Sequence, residues 1–217
     1  QLGKGIKEFN NLISVAHFKG HILTGFGGAI KNVGMGLGSR SGKMEMHCST
    51  TPVVIKKACT ACGDCAQHCD FNAIAINKYA KIDANICVGC ARCIAICPSS
   101  AISIDWGSTP QNIVMERIAE YTLAATKNRN WAYINFLTNI TKECDCMNIK
   151  QKPFIKDLGI LMSFDPVAID QASLDLIKKR EGEDPFYIKN SIKSEHLLAY
   201  AEKIKLGSRK YELKALS

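Results

Sequence analysis

Eleven cysteines in 217 residues dominate the chemistry open to this sequence. Eight of them fall into two runs of one spacing, Cys59-x-x-Cys62-x-x-Cys65-x-x-x-Cys69 and Cys87-x-x-Cys90-x-x-Cys93-x-x-x-Cys97-Pro98. Three thiolates on one tight loop can hold three corners of a 4Fe-4S cubane. In two-cluster chains of this spacing the fourth thiolate of each run serves the other cluster. Cluster I is therefore expected on Cys59, Cys62, Cys65 and Cys97, and cluster II on Cys87, Cys90, Cys93 and Cys69. Small residues at 61, 63, 89 and 91 should let backbone N–H groups reach the sulfurs and raise the reduction potential. The alternative is a pair of zinc sites, but zinc cysteines usually come as separated C-x-x-C knuckles, and four on one short run strain a tetrahedron. Asp70 stands where Pro98 stands in the second run. An ionised Asp70 would lower the potential of cluster II.

Three cysteines remain. Cys144-Asp145-Cys146 can turn two thiols toward one metal, or the pair can be small buried side chains; Cys48 reads as structural. His17, His21 and His47 frame a glycine-rich stretch (Gly20, Gly25, Gly27, Gly28, Gly34, Gly36, Gly38, Gly42) that contains Lys31. So many glycines suggest a loop whose backbone must approach another group closely. The histidines could line an anion pocket or, with Cys144 and Cys146, a soft nitrogen–sulfur site for zinc or nickel. Phosphate-loop readings fail: Gly38 to Met44 is one residue short of a Walker A loop and ends in Met where a hydroxyl should hold magnesium.

The elements that must position these groups follow from periodicity. Residues 53–104 are an internal repeat with a shift of 28 positions, carrying Cys59 onto Cys87, Cys69 onto Cys97, Ala73 onto Ala101 and Ile76 onto Ile104. Before it, 6–9 reads as the end of a helix and Leu12–Ala16 as a strand. After it, Thr109-Pro110 starts a helix through about Ala125, Tyr133–Leu137 and Gly159–Met162 read as strands, and Asp165-Pro166 starts a helix through about Lys179. Asp165 is the expected cap and Asp170 a residue of the exposed helix face. A last helix spans Ser194–Lys205, and Lys210–Leu213 is a candidate closing strand. Alternating strands and helices predict an α/β layered domain with an inserted α+β lobe of the bacterial two-cluster ferredoxin type. The expected organisation is 1–52 as the first part of the α/β domain with the glycine loop, 53–106 as the ferredoxin-like domain, and 107–217 as the second part.

Composition excludes several classes. With 47% hydrophobic and 22% charged residues the chain can bury a core and is neither disordered nor a disulfide mini-protein. An odd cysteine count rules out complete internal disulfide pairing. The net charge of +8 comes from scattered Lys and Arg without interleaved aromatics, and two clusters at about −2 each would reduce it to roughly +4. No nucleic-acid partner is expected. No apolar run is long enough for a membrane span. Thiolate chemistry on this scale implies a reducing, anaerobic cytoplasm.

The stretches Ser14–His21, Gly25–Asn32 and Gly42–His47, the double cysteine motif, Asn135–Asn139 with Cys144-Asp145-Cys146, and Asp165–Ala172 resemble the domain-of-unknown-function three-sixty-two family of iron–sulfur centre proteins of anaerobes. Members usually carry a further α/β segment before the position of Gln1, so the resemblance implies that this chain is the C-terminal part of such a protein or a shortened member. The glycine loop is also similar to the active-site loop of the lactate racemase family. His21 lies ten residues before Lys31 and His47 sixteen after it, around Gly25-Phe26-Gly27-Gly28. There the corresponding residues hold a nickel-pincer cofactor. By analogy His21, Lys31 and His47 are candidate catalytic residues of a small-molecule site.

The functional expectation is an electron carrier: two 4Fe-4S clusters exchanging low-potential single electrons with a ferredoxin, flavoprotein or reductase. The alternative is a cluster-dependent redox or metalloenzyme acting at a pocket of His21, Lys31, His47 and the Cys144/Cys146 pair.

Overall fold

The computed structural model describes residues 1–48, 51–104, 109–147 and 149–216. The expected lobe boundary at 106 lies outside them. In chain order the elements are a 3-10 turn (Lys4–Glu8), β1 (Asn11–His17), β2 (Lys19–His21), β3 (Gly25–Gly27), α1 (Ala29–Leu37), α2 (Arg40–His47) and β4 (Val53–Val54). Next come α3 (Asp64–Gln67), β5 (Ile74–Ile76), β6 (Ala80–Ile82), α4 (Arg92–Ile96) and β7 (Ile102–Ser103). The chain continues through α5 (Gln111–Thr126), β8 (Asn130–Leu137), β9 (Gly159–Ser163), α6 (Pro166–Glu181), α7 (Pro185–Asn190) and α8 (Glu195–Lys203). The fold is mixed α/β and divides into two compact units, Gln1 with Gly38–Pro110 and Leu2–Leu37 with Gln111–Ser217.

The larger unit is built on a sheet of order β1-β8-β9, with β1 parallel to β8 and β9 antiparallel to it. The small residues Ser14 and Ala16 of β1 are buried while Ile13 and Val15 are exposed. Asn32 of α1 donates to Ser14 Oγ at 2.9 Å, so the small side chains admit α1 onto that face. The other face presents Ile13, Val15, Ile160 and Met162 to solvent. Helix α6 starts at Asp165, whose Oδ1 accepts from the N–H groups of Val167 and Ala168 at 2.7 and 3.0 Å, as a cap should. It packs on α1, α8 and the strands β8 and β9, and every residue from Pro166 to Leu174 is buried.

Three expectations are corrected here. The glycine-rich stretch is not a loop: it forms the β2–β3 hairpin and helices α1 and α2. Several of its glycines serve close packing instead: a Cβ on Gly34 would lie 2.4 Å from the Ile118 carbonyl oxygen of α5. Asp170 is not on an exposed face but fully buried. Its Oδ1 accepts from Ala29 N and Asn135 Nδ2 at 2.7 and 2.8 Å, and its Oδ2 from Ile30 N at 2.9 Å, so it satisfies the orphan donors at the start of α1. Lys210–Leu213 forms no strand. That segment is tied to α6 by side chains, with Tyr211 Oη donating to Asp175 and Arg209 Nε to Gln171.

The smaller unit carries the repeat into three dimensions. β4 pairs antiparallel with β7 and β5 with β6. The first strand of each copy thus pairs with the last strand of the other. The shift of 28 also maps α3 onto α4 and the left-handed residues Ala61, Gly63 and Asn72 onto Gly89, Ala91 and Ser100, with φ of 54°, 89° and 51° against 66°, 58° and 50°. Cys65, Ala80 and Ile102 form the buried centre of this unit, packed by Val54, Ile74, Ile82 and Ile94.

Candidate functional site

Left-handed backbone at matched positions turns the chain sharply after Cys59 and Cys87, which curls each run of three thiols inward. Two hollows result. One is lined by Cys59, Cys62, Cys65 and Cys97. The other is lined by Cys69, Cys87, Cys90 and Cys93, with Cys65 bordering it as well.

A tetrahedral zinc with Zn–S bonds of about 2.3 Å would draw its sulfurs to roughly 3.8 Å of one another. Among the described residues no three of the eight repeat cysteines have sulfurs within 4.8 Å of each other. Backbone N–H groups point at the sulfurs in matched fashion: Ala73 to Cys69 at 3.4 Å and Ala101 to Cys97 at 3.2 Å, joined by Ala80 to Cys59 and Gly89 to Cys87 at 3.4 and 3.5 Å. Of the four small residues expected to donate, Gly89 does so; what Ala61, Gly63 and Ala91 share with it is the left-handed backbone.

Burial pushes the Cys93 thiol up to about 11, with the neighbouring Cys87, Cys90 and Cys65 adding to it. Cys65 is raised for the same reasons, burial first. Burial also acts upward on Cys97, but the Ser99 hydroxyl and the Ala101 N–H outweigh it and lower that thiol. Asp70 does not face this region as a bare charge: Arg92 Nη1 pairs with its Oδ1 at 2.5 Å.

A second cluster of ligating groups lies in the larger unit, beyond the carboxyl ends of the parallel strands β1 and β8, the place where open α/β sheets put their sites. One ligand atom each of His21, Cys144 and Cys146 lie within 4.8 Å of one another. His21 and Cys144 are buried and Cys146 is exposed. Gly20 brings the two segments together. Its N–H donates to the Thr141 carbonyl at 2.8 Å, and a Cβ there would lie 1.8 Å from the Lys142 carbonyl oxygen. Asp145, between the cysteines, accepts from His17 Nδ1 at 2.9 Å and pairs with Lys19 at 3.5 Å, while His17 Nε2 lies 3.0 Å from the Thr138 carbonyl. His17 therefore anchors the turn rather than joining the three ligating atoms. Lys31 Nζ lies 3.7 Å from Cys144 Sγ. His47 belongs to the other compact unit, at the end of α2. Cys48 is buried, with its thiol directed at the Met44 carbonyl.

Burial opposes ionisation of Cys144, yet the thiol and N–H of Cys146, with Lys31 and Lys19, hold it below the ordinary thiol range. Cys146, desolvated and beside Cys144, is pushed above it. Asp145 is lowered: burial raises it, but the His17 hydrogen bond and Lys19 prevail. Sequence reasoning missed Thr24, which touches His21 Nδ1 at 3.0 Å and donates its own proton to the Phe26 carbonyl at 2.6 Å. No motif marks it. Asp145 and Gly20 could have been suspected from their positions next to Cys144 and His21.

The family model described as Domain of unknown function (DUF362) matches residues 1–175. Among curated proteins, the chain is 36% identical over 52 residues to a component of the ion-translocating oxidoreductase complex of Methanosarcina acetivorans, covering 24% of this chain and 20% of that protein. It is 30% identical over 100 residues to a component of the DNA-directed RNA polymerase of the same organism, covering 43% of this chain and 38% of that protein. The chain thus spans well under half the length of either relative. The match over most of its length makes this chain a member of the DUF362 family.

Proposed function

We propose that the chain binds two 4Fe-4S clusters and passes low-potential single electrons to or from a redox protein such as a ferredoxin, flavoprotein or reductase. One observation carries the reading: each hollow of the smaller unit is lined by a full set of four thiols drawn from both copies of the repeat. Cys59, Cys62, Cys65 and Cys97 would hold one cluster, and Cys87, Cys90, Cys93 and Cys69 the other. Bound there, the clusters supply one-electron chemistry at potentials set by charge, hydrogen bonds and exposure.

The chain's own residues do the rest. The four N–H groups aimed at sulfur favour the reduced, more negative state. Burial of Cys65 and Cys93 keeps those thiols protonated until metal displaces the proton, so cluster assembly releases protons. The similarity to a component of an oxidoreductase complex supports a redox role. The similarity to an RNA polymerase component is not matched by a basic patch with interleaved aromatics, and we assign no nucleic-acid role. No helix among the described residues is long and apolar enough to cross a membrane. The test is anaerobic purification followed by iron and sulfide analysis, with EPR of the reduced protein. About eight irons per chain and signals from two clusters are expected. Far fewer irons, with zinc on the repeat cysteines, would overturn the proposal.

A further inference from the structure

We propose that His21, Cys144 and Cys146 form a mononuclear site for a borderline-soft divalent ion, zinc, with a fourth position open to water or a small anionic oxygen ligand. The inference does not depend on the clusters, because these residues belong to the larger unit and the repeat cysteines to the smaller. Among the described residues this is the one group of three or more ligating side chains whose donor atoms converge to within 4.8 Å. That span suits a single ion, whose ligands at about 2.0–2.3 Å lie roughly 3.5–4 Å apart. One imidazole and two thiolates are the donor set of an open zinc site, in which three protein ligands leave the fourth position to water or substrate.

The surroundings are built for a ligand set. His21 Nδ1 accepts from the Leu23 N–H at 3.2 Å and lies 3.0 Å from Thr24 Oγ1, whose hydroxyl donates to the Phe26 carbonyl at 2.6 Å. These contacts hold the imidazole ring in one orientation, the part that outer partners play for metal-bound histidines. Asp145 is taken up by His17 at 2.9 Å and Lys19 at 3.5 Å and does not join the ligating atoms. Two thiolates cancel the charge of a divalent ion. Lys31, 3.7 Å from Cys144 Sγ, then leaves the site net positive and disposes the open position toward an anionic oxygen. Cys146 is exposed, so that position is reached from solvent.

The test uses the full chain, purified anaerobically with its iron. It is incubated with excess Zn2+, desalted, and analysed for zinc and iron, and its zinc shell is read by X-ray absorption at the zinc edge. The expected result is one zinc per chain, with two sulfurs near about 2.3 Å and two nitrogen or oxygen atoms near about 2.0–2.1 Å. Cys146→Ser, a change at an exposed residue, should weaken zinc binding at least tenfold without altering iron content. Thr24→Val should weaken it about 10- to 100-fold, and Thr24→Ser should restore it. Iron counts bear on the cluster reading alone, and zinc counts on this site alone. The proposal is overturned if the iron-loaded wild type retains no zinc, if Cys146→Ser retains as much as wild type, or if the zinc shell is four sulfurs.

Discussion

Gly20→Ala probes how the fold brings His21 to the cysteine turn. The added Cβ would lie 1.8 Å from the Lys142 carbonyl oxygen and 2.7 Å from its carbon. Backbone cannot yield as a flexible side-chain tip does, so the 141–143 segment must retreat by about 1.2 Å or more to reach even a tight contact. That retreat stretches the Gly20 N–H to Thr141 bond, now 2.8 Å, worth about 1 kcal/mol. Overpacking adds about 1–3 kcal/mol. Metal ligands tolerate misplacement of only about 0.2 Å. Cys144 is two residues beyond the clash, so zinc binding should fall well over tenfold in a protein destabilised by about 2–4 kcal/mol. The assay is zinc retention after desalting, read beside iron content and thermal unfolding. Wild-type zinc affinity in Gly20→Ala would mean that the close approach has no part in forming the site, contrary to the geometry set out above.

Other perturbations address the cluster hollows and the buried carboxylate. Cys97→Ser should disturb the same cluster as Cys59→Ser, and Cys69→Ser the same as Cys87→Ser, read as matching EPR losses; pairing of Cys97 with Cys87 would contradict the crossed arrangement. Arg92→Gln removes the cation paired with Asp70 beside the second hollow and should lower the potential of that cluster, whereas Asp70→Asn should raise it; redox titration giving no change in either refutes the electrostatic account. Burial pushes Asp170 up to about 6 from 3.8, despite its hydrogen bonds from Asn135, Ile30 and Ala29. Its folded-state pKa is raised, so this contribution is complete below about pH 3.8 and is lost as pH rises through about 6, a change on the order of 3 kcal/mol. Denaturant unfolding should therefore show Asp170→Asn gaining stability relative to wild type between about pH 4 and 7; a constant difference would contradict the shift.

The cysteine repeat was legible because its spacing is rigidly tied to chain geometry. One shift of 28 residues predicts strands, helices and left-handed positions alike. The strands at Leu12–Ala16, Tyr133–Leu137 and Gly159–Met162 and the Asp165-Pro166 helix start were visible for the same local reasons. Helix α7 begins with the same Asp-Pro signal, Asp184 capping Phe186 and Tyr187, and could have been read. Other features were hidden because they depend on long-range contacts. Asp170 looks like any polar residue on a helix until α1 and Asn135 close over it. The glycines of 20–42 look like a loop, yet several serve as packing contacts between elements far apart in sequence. The convergence of His21 on Cys144 and Cys146 spans more than 120 residues, and His17 and His47, which look equivalent to His21 in sequence, take other places in the fold.

Everything proposed for the smaller unit depends on eight cysteines of the repeat holding two cubanes. Mössbauer spectroscopy of the anaerobically purified, 57Fe-enriched protein, joined to an iron count, decides that point. About eight irons per chain, all in 4Fe-4S environments, are expected. About four irons or fewer, or iron bound as single thiolate-coordinated ions, would contradict the two-cluster assignment.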